Sequence, residues 1–167
     1  MELRAATRND FDAIVRLVPS RNELFRVYPK GMHPFTIEQM QALAESRNEL
    51  TVAVNRDAVI GFANLYDVQA GRWAFVGNVV VAPDFRGQGV GRLLVSHMIQ
   101  RAFDAYGAQE VRISVFNDNT PALLLYAGMN FRPYAVEERT DPSGARVGLL
   151  HMRLEKSEYS RAGRGGN

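Results

Sequence analysis

The chain has 167 residues, 46% hydrophobic and 23% charged, the size and balance of one domain with one buried core rather than of a disordered or fibrous polymer. Its 20 basic and 18 acidic residues are interspersed and leave a net charge of +2, which argues against nucleic acid as the principal partner. The absence of cysteine excludes disulfides, thiolate nucleophiles and cysteine-held metals.

Met1–Thr7 lacks the apolar run of a secretory leader, and no stretch approaches the roughly 18 apolar residues that span a bilayer. The expected location is the cytoplasm, with no membrane partner. Leu3–Ala6 reads as a first strand. Thr7, with Asp10 three residues on, makes a capping box; Phe11, Ile14, Val15 and Val18 then recur at helical spacing until Pro19 stops them. Residues 19–35 read as an irregular loop carrying Phe25, Tyr28 and Phe35. Thr36 and Gln39 open a second helix with Ile37, Met40, Leu43 and Ala44 inward. Thr51–Val54 and Val59–Tyr66 are strands joined by Asn55–Ala58, a turn expected to be longer or less regular than Asn-Gly. Trp73–Val81 is the next strand. After Gly87–Gly91, residues Val90, Leu93, Leu94, His97, Met98 and Ala102 trace one face of a long helix ending near Gly107. Val111–Phe116 is a strand, Asn119–Ala127 a helix, and Phe131–Thr140 with Arg146–Leu154 a closing strand pair. The glycines at 163, 165 and 166 mark the segment from Ser157 as a disordered tail, so one domain is expected at 1–156 and a tail at 157–167. Strands and helices mix along the whole chain without a repeat, which is the pattern of a single α/β layer structure.

The most informative segment is Val79-Val80-Val81-Ala82-Pro83-Asp84-Phe85-Arg86-Gly87-Gln88-Gly89-Val90-Gly91-Arg92. A strand ends, and a helix starts among three alternating glycines. Glycine lets the backbone approach a ligand, and the first amides of a helix have no internal partners, so they form a site for a phosphate group. A Walker loop would need Gly-Lys-Ser or Gly-Lys-Thr, and the Rossmann spacing is absent. One strand later, Asn119 is a good N-cap and Tyr126 lies seven residues on, two helical turns along the same side.

Arg86-Gly87-Gln88-Gly89-Val90-Gly91 resembles the pyrophosphate loop Gln/Arg-x-x-Gly-x-Gly/Ala of the GNAT N-acetyltransferase superfamily. Asn119, Ala122, Leu125, Tyr126 and Phe131 resemble that family's Asn-x-x-Ala-x-x-Leu-Tyr-x-x-x-Gly-Phe, with Asn130 in place of the glycine. Asparagine is the next best residue for a left-handed helix end, so the geometry is expected to survive. The resemblance implies a mixed, mostly antiparallel twisted sheet of about seven strands, flanked by helices and split to hold acetyl-CoA. It implies that backbone groups of Val79, Val80 and Val81 pair with the pantetheine arm. Arg86 and the amides of Gly87, Gln88, Gly89, Val90, Gly91 and Arg92 then hold the diphosphate, while Asn119 and Tyr126 line the cofactor cleft. The expected reaction moves an acetyl group onto a primary amine of a small molecule, peptide or protein lysine, with Tyr126 as the acid for the leaving thiolate.

A lysine-like amine has a free pKa of ~10.4, so its proton must be removed first. The strand before the loop carries no carboxylate, and Ser114 stands where some relatives have a glutamate. Asn78 and Ser114 are therefore assigned to positioning a relaying water, with Glu137, Glu138, His151 and His33 as alternatives. Phe25, Tyr28 and Phe35 are placed on the wall of the acceptor site, where Arg21, Arg26 and Lys30 would meet an acceptor carboxylate. The chain is expected to be a monomer or homodimer. The alternatives are a non-catalytic acetyl-CoA sensor on the same fold and an unrelated nucleotide- or phosphate-binding domain.

Overall fold

Apolar residues follow one another without alternation through Val52, Ala53 and Val54 and again through Phe62 and Ala63, and all five are buried. Such runs require a sheet covered on both faces. A computed structural model describes residues 1–162 and shows that arrangement. In chain order the elements are β1 (Glu2–Ala5), α1 (Phe11–Arg16), α2 (Arg21–Val27), α3 (Ile37–Glu45), β2 (Asn48–Asn55), β3 (Ala58–Gln69), β4 (Trp73–Val81), α4 (Val90–Ala105), β5 (Glu110–Phe116), α5 (Thr120–Ala127), β6 (Arg132–Thr140), β7 (Arg146–Glu155) and α6 (Lys156–Ala162). The seven strands form one sheet in the order β1-β2-β3-β4-β5-β7-β6. Only β4 and β5 run parallel, joined by the crossover through α4.

One face of the sheet packs Ala53, Ile60 and Val76 against Leu94, Met98 and Ile99 of α4. The other packs Val52, Val54, Phe62 and Val80 against Ile14, Leu24, Met40 and Leu43 of α1–α3. Fully burying a side chain such as Met98 or Leu24 contributes about 1.5–3 kcal/mol.

The expected strand and helix order is present, with three differences. Ser20 accepts from the Glu23 amide and starts α2 inside the segment expected to be irregular. The β2–β3 turn is tighter than expected: Asn55 pairs with Ala58, and both central residues are left-handed, Arg56 at φ 47° and Asp57 at φ 68°. The segment from Ser157 begins as helix α6, whose Tyr159 ring lies 5.5 Å from that of Phe103. The glycines at 163, 165 and 166 lie outside the described residues.

The Thr7–Asp10 capping box forms, and Asp10 also takes two bonds of 2.8 Å from the Arg4 guanidinium, tying β1 to the start of α1. Arg4 is the main cause that holds this buried carboxyl well below the usual carboxylate range, opposed by burial and helped by the Thr7 amide. A depressed pKa stabilises the fold above the ordinary carboxylate range and ceases to do so as pH falls towards the native value. Asp10→Asn is therefore expected to cost about 1.5–3 kcal/mol at pH 7. In urea titrations repeated down to acid pH, the gap between the two proteins should narrow as pH falls.

Candidate functional site

β4 and β5 pair only from Trp73–Glu110 to Val76–Ile113. Beyond that point β4 runs on to Val81 and β5 to Phe116 without pairing to each other, so the sheet opens between them. The opening has a local cause. Between β3 and β4 the register passes from Phe62–Val80 to Asn64–Gly77, two steps on one strand against three on the other. The extra residue is a bulge, and Asn78 within it is left-handed at φ 51°. The bulge turns the end of β4 away from β5.

The start of α4 lies just past the end of β4. Ser20, Thr36 and Asn119 cap α2, α3 and α5 through their side chains, whereas α4 starts on Gly89 with no side-chain cap and no acidic residue in its first turn. Its leading amides are free for an anion. Gly87 at φ 73° and Gly89 at φ 85° need glycine, and a Cβ at either would meet nothing among the described residues within 4 Å. Gly91 has a different reason. A Cβ there would come 3.2 Å from Leu125, so this glycine lets α4 lie close to α5. Arg92 is exposed, with its guanidinium over the end of α5 beside Gly128.

These residues fit a diphosphate joined to an amide-bearing arm. The fit comes from backbone rather than side chains. Arg86 donates to the Val81 carbonyl at 3.0 Å and pairs with Glu23 at 2.8 Å, so its side chain is already engaged. Gln88 donates to the Asp84 carbonyl. Val79 and Val81 pack towards α4, Val80 packs towards α1–α3, and the Val90 side chain is buried in the core. The Asn119 side chain is spent as the α5 cap, 3.4 Å from the Ala122 amide.

Tyr126 is buried, with its ring 6.1 Å from that of Phe131. Asn130 is left-handed at φ 67°, as its position in the motif requires, and Phe131 donates to the Tyr126 carbonyl. Burial alone pushes the Tyr126 phenol well above its ordinary pKa, with no charged or hydrogen-bonding neighbour contributing. The group is a protonated donor whose hydrogen is not committed to any acceptor among the described residues.

On the face covered by α2, Ser114 of β5 lies opposite His151 of β7. Ser114 Oγ is 2.7 Å from His151 Nδ1, and His151 Nε2 is 3.0 Å from Glu137 Oε2 on β6. Glu137 is held below the usual carboxylate range chiefly by its hydrogen bond with His151. An ionised carboxylate only accepts, so it selects the tautomer with hydrogen on Nε2 and leaves Nδ1 to accept from the Ser114 hydroxyl. Two of the alternatives considered for proton removal thus join Ser114 in one chain. Glu138 pairs with Arg146 and His33 is exposed on the α2–α3 loop.

Asn78 is engaged by protein at both ends of its amide. It is buried, its Oδ1 accepts from Asn64 at 2.8 Å and its Nδ2 donates to the Val27 carbonyl at 2.8 Å. Its role is to hold the bulge and to fasten the end of α2. Among the aromatic residues expected on the acceptor wall, Phe25 stacks on Phe116 at 4.5 Å and Tyr28 is half-buried, but Phe35 belongs to the core. Arg26 is paired with Asp118, and Arg21 and Lys30 are exposed. Two residues had not been singled out in the sequence. Tyr66 packs on Gly77 at the opening, where a Cβ would fall 2.6 Å from its ring, and its hydroxyl neighbours Ser114. Arg47 lies over the Tyr66 ring, 4.4 Å from its centre.

Residues 15–131 match the Acetyltransferase (GNAT) family. An N-alpha-acetyltransferase of Sulfolobus acidocaldarius is 30% identical over 138 residues, 78% of this chain and 79% of the relative. Among solved structures, a spermidine N-acetyltransferase from Vibrio cholerae, in complex with CoA and spermine, aligns with a TM-score of 0.80 at 22% identity, covering 95% of this chain and 97% of that one. The yncA protein of Salmonella typhimurium, solved with acetyl-CoA, aligns with a TM-score of 0.74 at 20% identity over 92% of each chain.

Proposed function

The chain belongs to the GNAT acetyltransferase family, and on that footing we propose that this acetyl-CoA-dependent N-acetyltransferase uses the opening between β4 and β5 for its donor and the Ser114 side of the same opening for its amine. The observation that carries the reading is the end of β4–β5 pairing at Val76–Ile113, with the uncapped glycine start of α4 following the end of the same strand β4. Acetyl-CoA supplies the acetyl group as an activated thioester. Backbone groups of Val79–Val81 line one arm of the opening, and amides from Gly87 to Arg92 meet the diphosphate. Tyr126 holds a proton at its phenol oxygen, in a dry setting, for the departing thiolate.

The amine is made nucleophilic from the other side. Ser114 passes its hydroxyl proton to His151 Nδ1 as it accepts one from the amine, and Glu137 stabilises the imidazolium that results. The serine is a relay and not a nucleophile. Phe25 and Tyr28 lie on the acceptor wall. No helix among the described residues is long and apolar enough to cross a membrane.

Thiol release from acetyl-CoA, assayed with a panel of amines, tests the activity itself. His151→Gln tests the relay: it is expected to lower kcat about 100-fold near pH 7. The deficit should shrink as pH rises towards ~10, where a lysine-like amine sheds its proton unaided. A deficit equal at all pH values would make His151 a structural residue.

A further inference from the structure

Three arginines among the described residues are withdrawn from full exposure: Arg47, Arg101 and Arg112. Arg101 is paired with Glu49 at 2.8 Å, and Arg112 with Glu110. Arg47 differs from both. No carboxylate pairs with it among the described residues, and its Nε is buried without a hydrogen-bond partner. Among the described residues its guanidinium plane has the Tyr66 ring, 4.4 Å to the centroid. A ring face offsets little of the loss of water around a guanidinium, and an unmatched buried donor is costly.

The place of this cation is as telling as its solitude. Tyr66, on which it lies, packs against Gly77 where β4 leaves β5, and the Tyr66 hydroxyl adjoins Ser114, the first member of the proton relay. Tyr28 at the end of α2 is close enough to act on the same charge. Arg47 therefore stands on the acceptor side of the opening, one aromatic ring away from the group that takes the amine's proton.

We propose that Arg47 is the receptor for a carboxylate carried by the acceptor, so that the substrate is an amine with a carboxylate close by, as in a free amino acid or a peptide beginning with an acidic residue. The proposal rests on the assignment of the Ser114 side to the acceptor. Arg26 is consumed by Asp118, and Arg21 and Lys30 lie in open solvent, where an ion pair contributes little. Arg47 has the remaining requirements: partial burial, no carboxylate partner among the described residues and an aromatic platform. Burial lowers its pKa, a penalty that an arriving anion reverses.

The test compares paired acceptors in the native protein and in Arg47→Gln. One pair is L-methionine and L-methioninamide. The other is two C-terminally amidated tripeptides that begin with Glu or Gln and are otherwise alike. Comparing each pair's kcat/KM ratio between proteins cancels the intrinsic reactivity of the amines. The acid-to-neutral ratio of one pair is expected to fall at least about tenfold in Arg47→Gln. Which pair responds tells whether the carboxylate belongs to a free amino acid or to a peptide side chain. Ratios unchanged in both pairs overturn the proposal, whatever happens to overall turnover. Calorimetry on the CoA-loaded protein, with N-acetyl-L-methionine and its amide and the N-acetylated Glu and Gln peptides, provides a readout that needs no turnover. Tighter binding of an acid than of its neutral partner, lost in Arg47→Gln, supports the proposal even if no amine in the panel is acetylated. Equal binding within both pairs, or none, sinks it while leaving acetyl-CoA binding to be judged separately.

Discussion

Tyr126→Phe is expected to lower kcat by about 100- to 1,000-fold while weakening CoA binding far less, the range for losing one positioned proton donor. The phenol is buried and kept protonated by that burial alone, with no acceptor among the described residues engaging its hydrogen. Deleting the oxygen therefore breaks no internal hydrogen bond, and the ring can keep its edge contact with Phe131 at 6.1 Å. Initial-rate measurements of thiol release, set beside calorimetry with CoA, separate the two effects. Equal losses in rate and affinity would make Tyr126 a binding group rather than a donor.

Gly89→Val should weaken CoA binding about 100-fold, the worth of one or two charge-assisted amide contacts. Valine at φ 85° is strained by about 1–3 kcal/mol, which the loop relieves by turning its amides away from the anion. Backbone strain alone is controlled by Gly71→Val in the β3–β4 turn. Gly71 has φ 75° and also nothing within 4 Å of an added Cβ, but it lies away from the opening. The two variants should lose similar stability in thermal unfolding, and only Gly89→Val should lose affinity. Matching affinities would remove the start of α4 from the donor site.

The parts of the site that depend on backbone demands were legible in the sequence. Gly87 and Gly89 need positive φ, Asn130 replaces a glycine at a left-handed position, and Asn119 caps the helix that carries Tyr126; each leaves a residue-type mark. The side-chain assignments fared differently, because they depend on what lies nearby in space. Arg86 matches the motif, yet Glu23 from a distant helix engages it. Asn78 suited a water-holding role by its position next to the opening, yet Asn64 and the Val27 carbonyl use both ends of its amide. Ser114 and His151 are 37 residues apart and meet only through the β5–β7 register. Arg47 carries no mark at all, since its distinction is the lack of a neighbour. Helix α2 had a visible signature, Ser20 with Glu23 three residues on, but Pro19, Pro29 and the aromatic residues between them suggested a loop.

The same helix is fastened to both banks of the opening. Glu23 grips Arg86 beyond the end of β4, Val27 takes the Asn78 amide at the bulge, Phe25 stacks on Phe116 at the end of β5, and Arg26 reaches Asp118 just past it. Any spreading or narrowing of those banks tugs on four moorings of one seven-residue rod. If donor and acceptor occupy that opening as proposed, both press on a common lever, and whichever docks first shapes the berth left for the other.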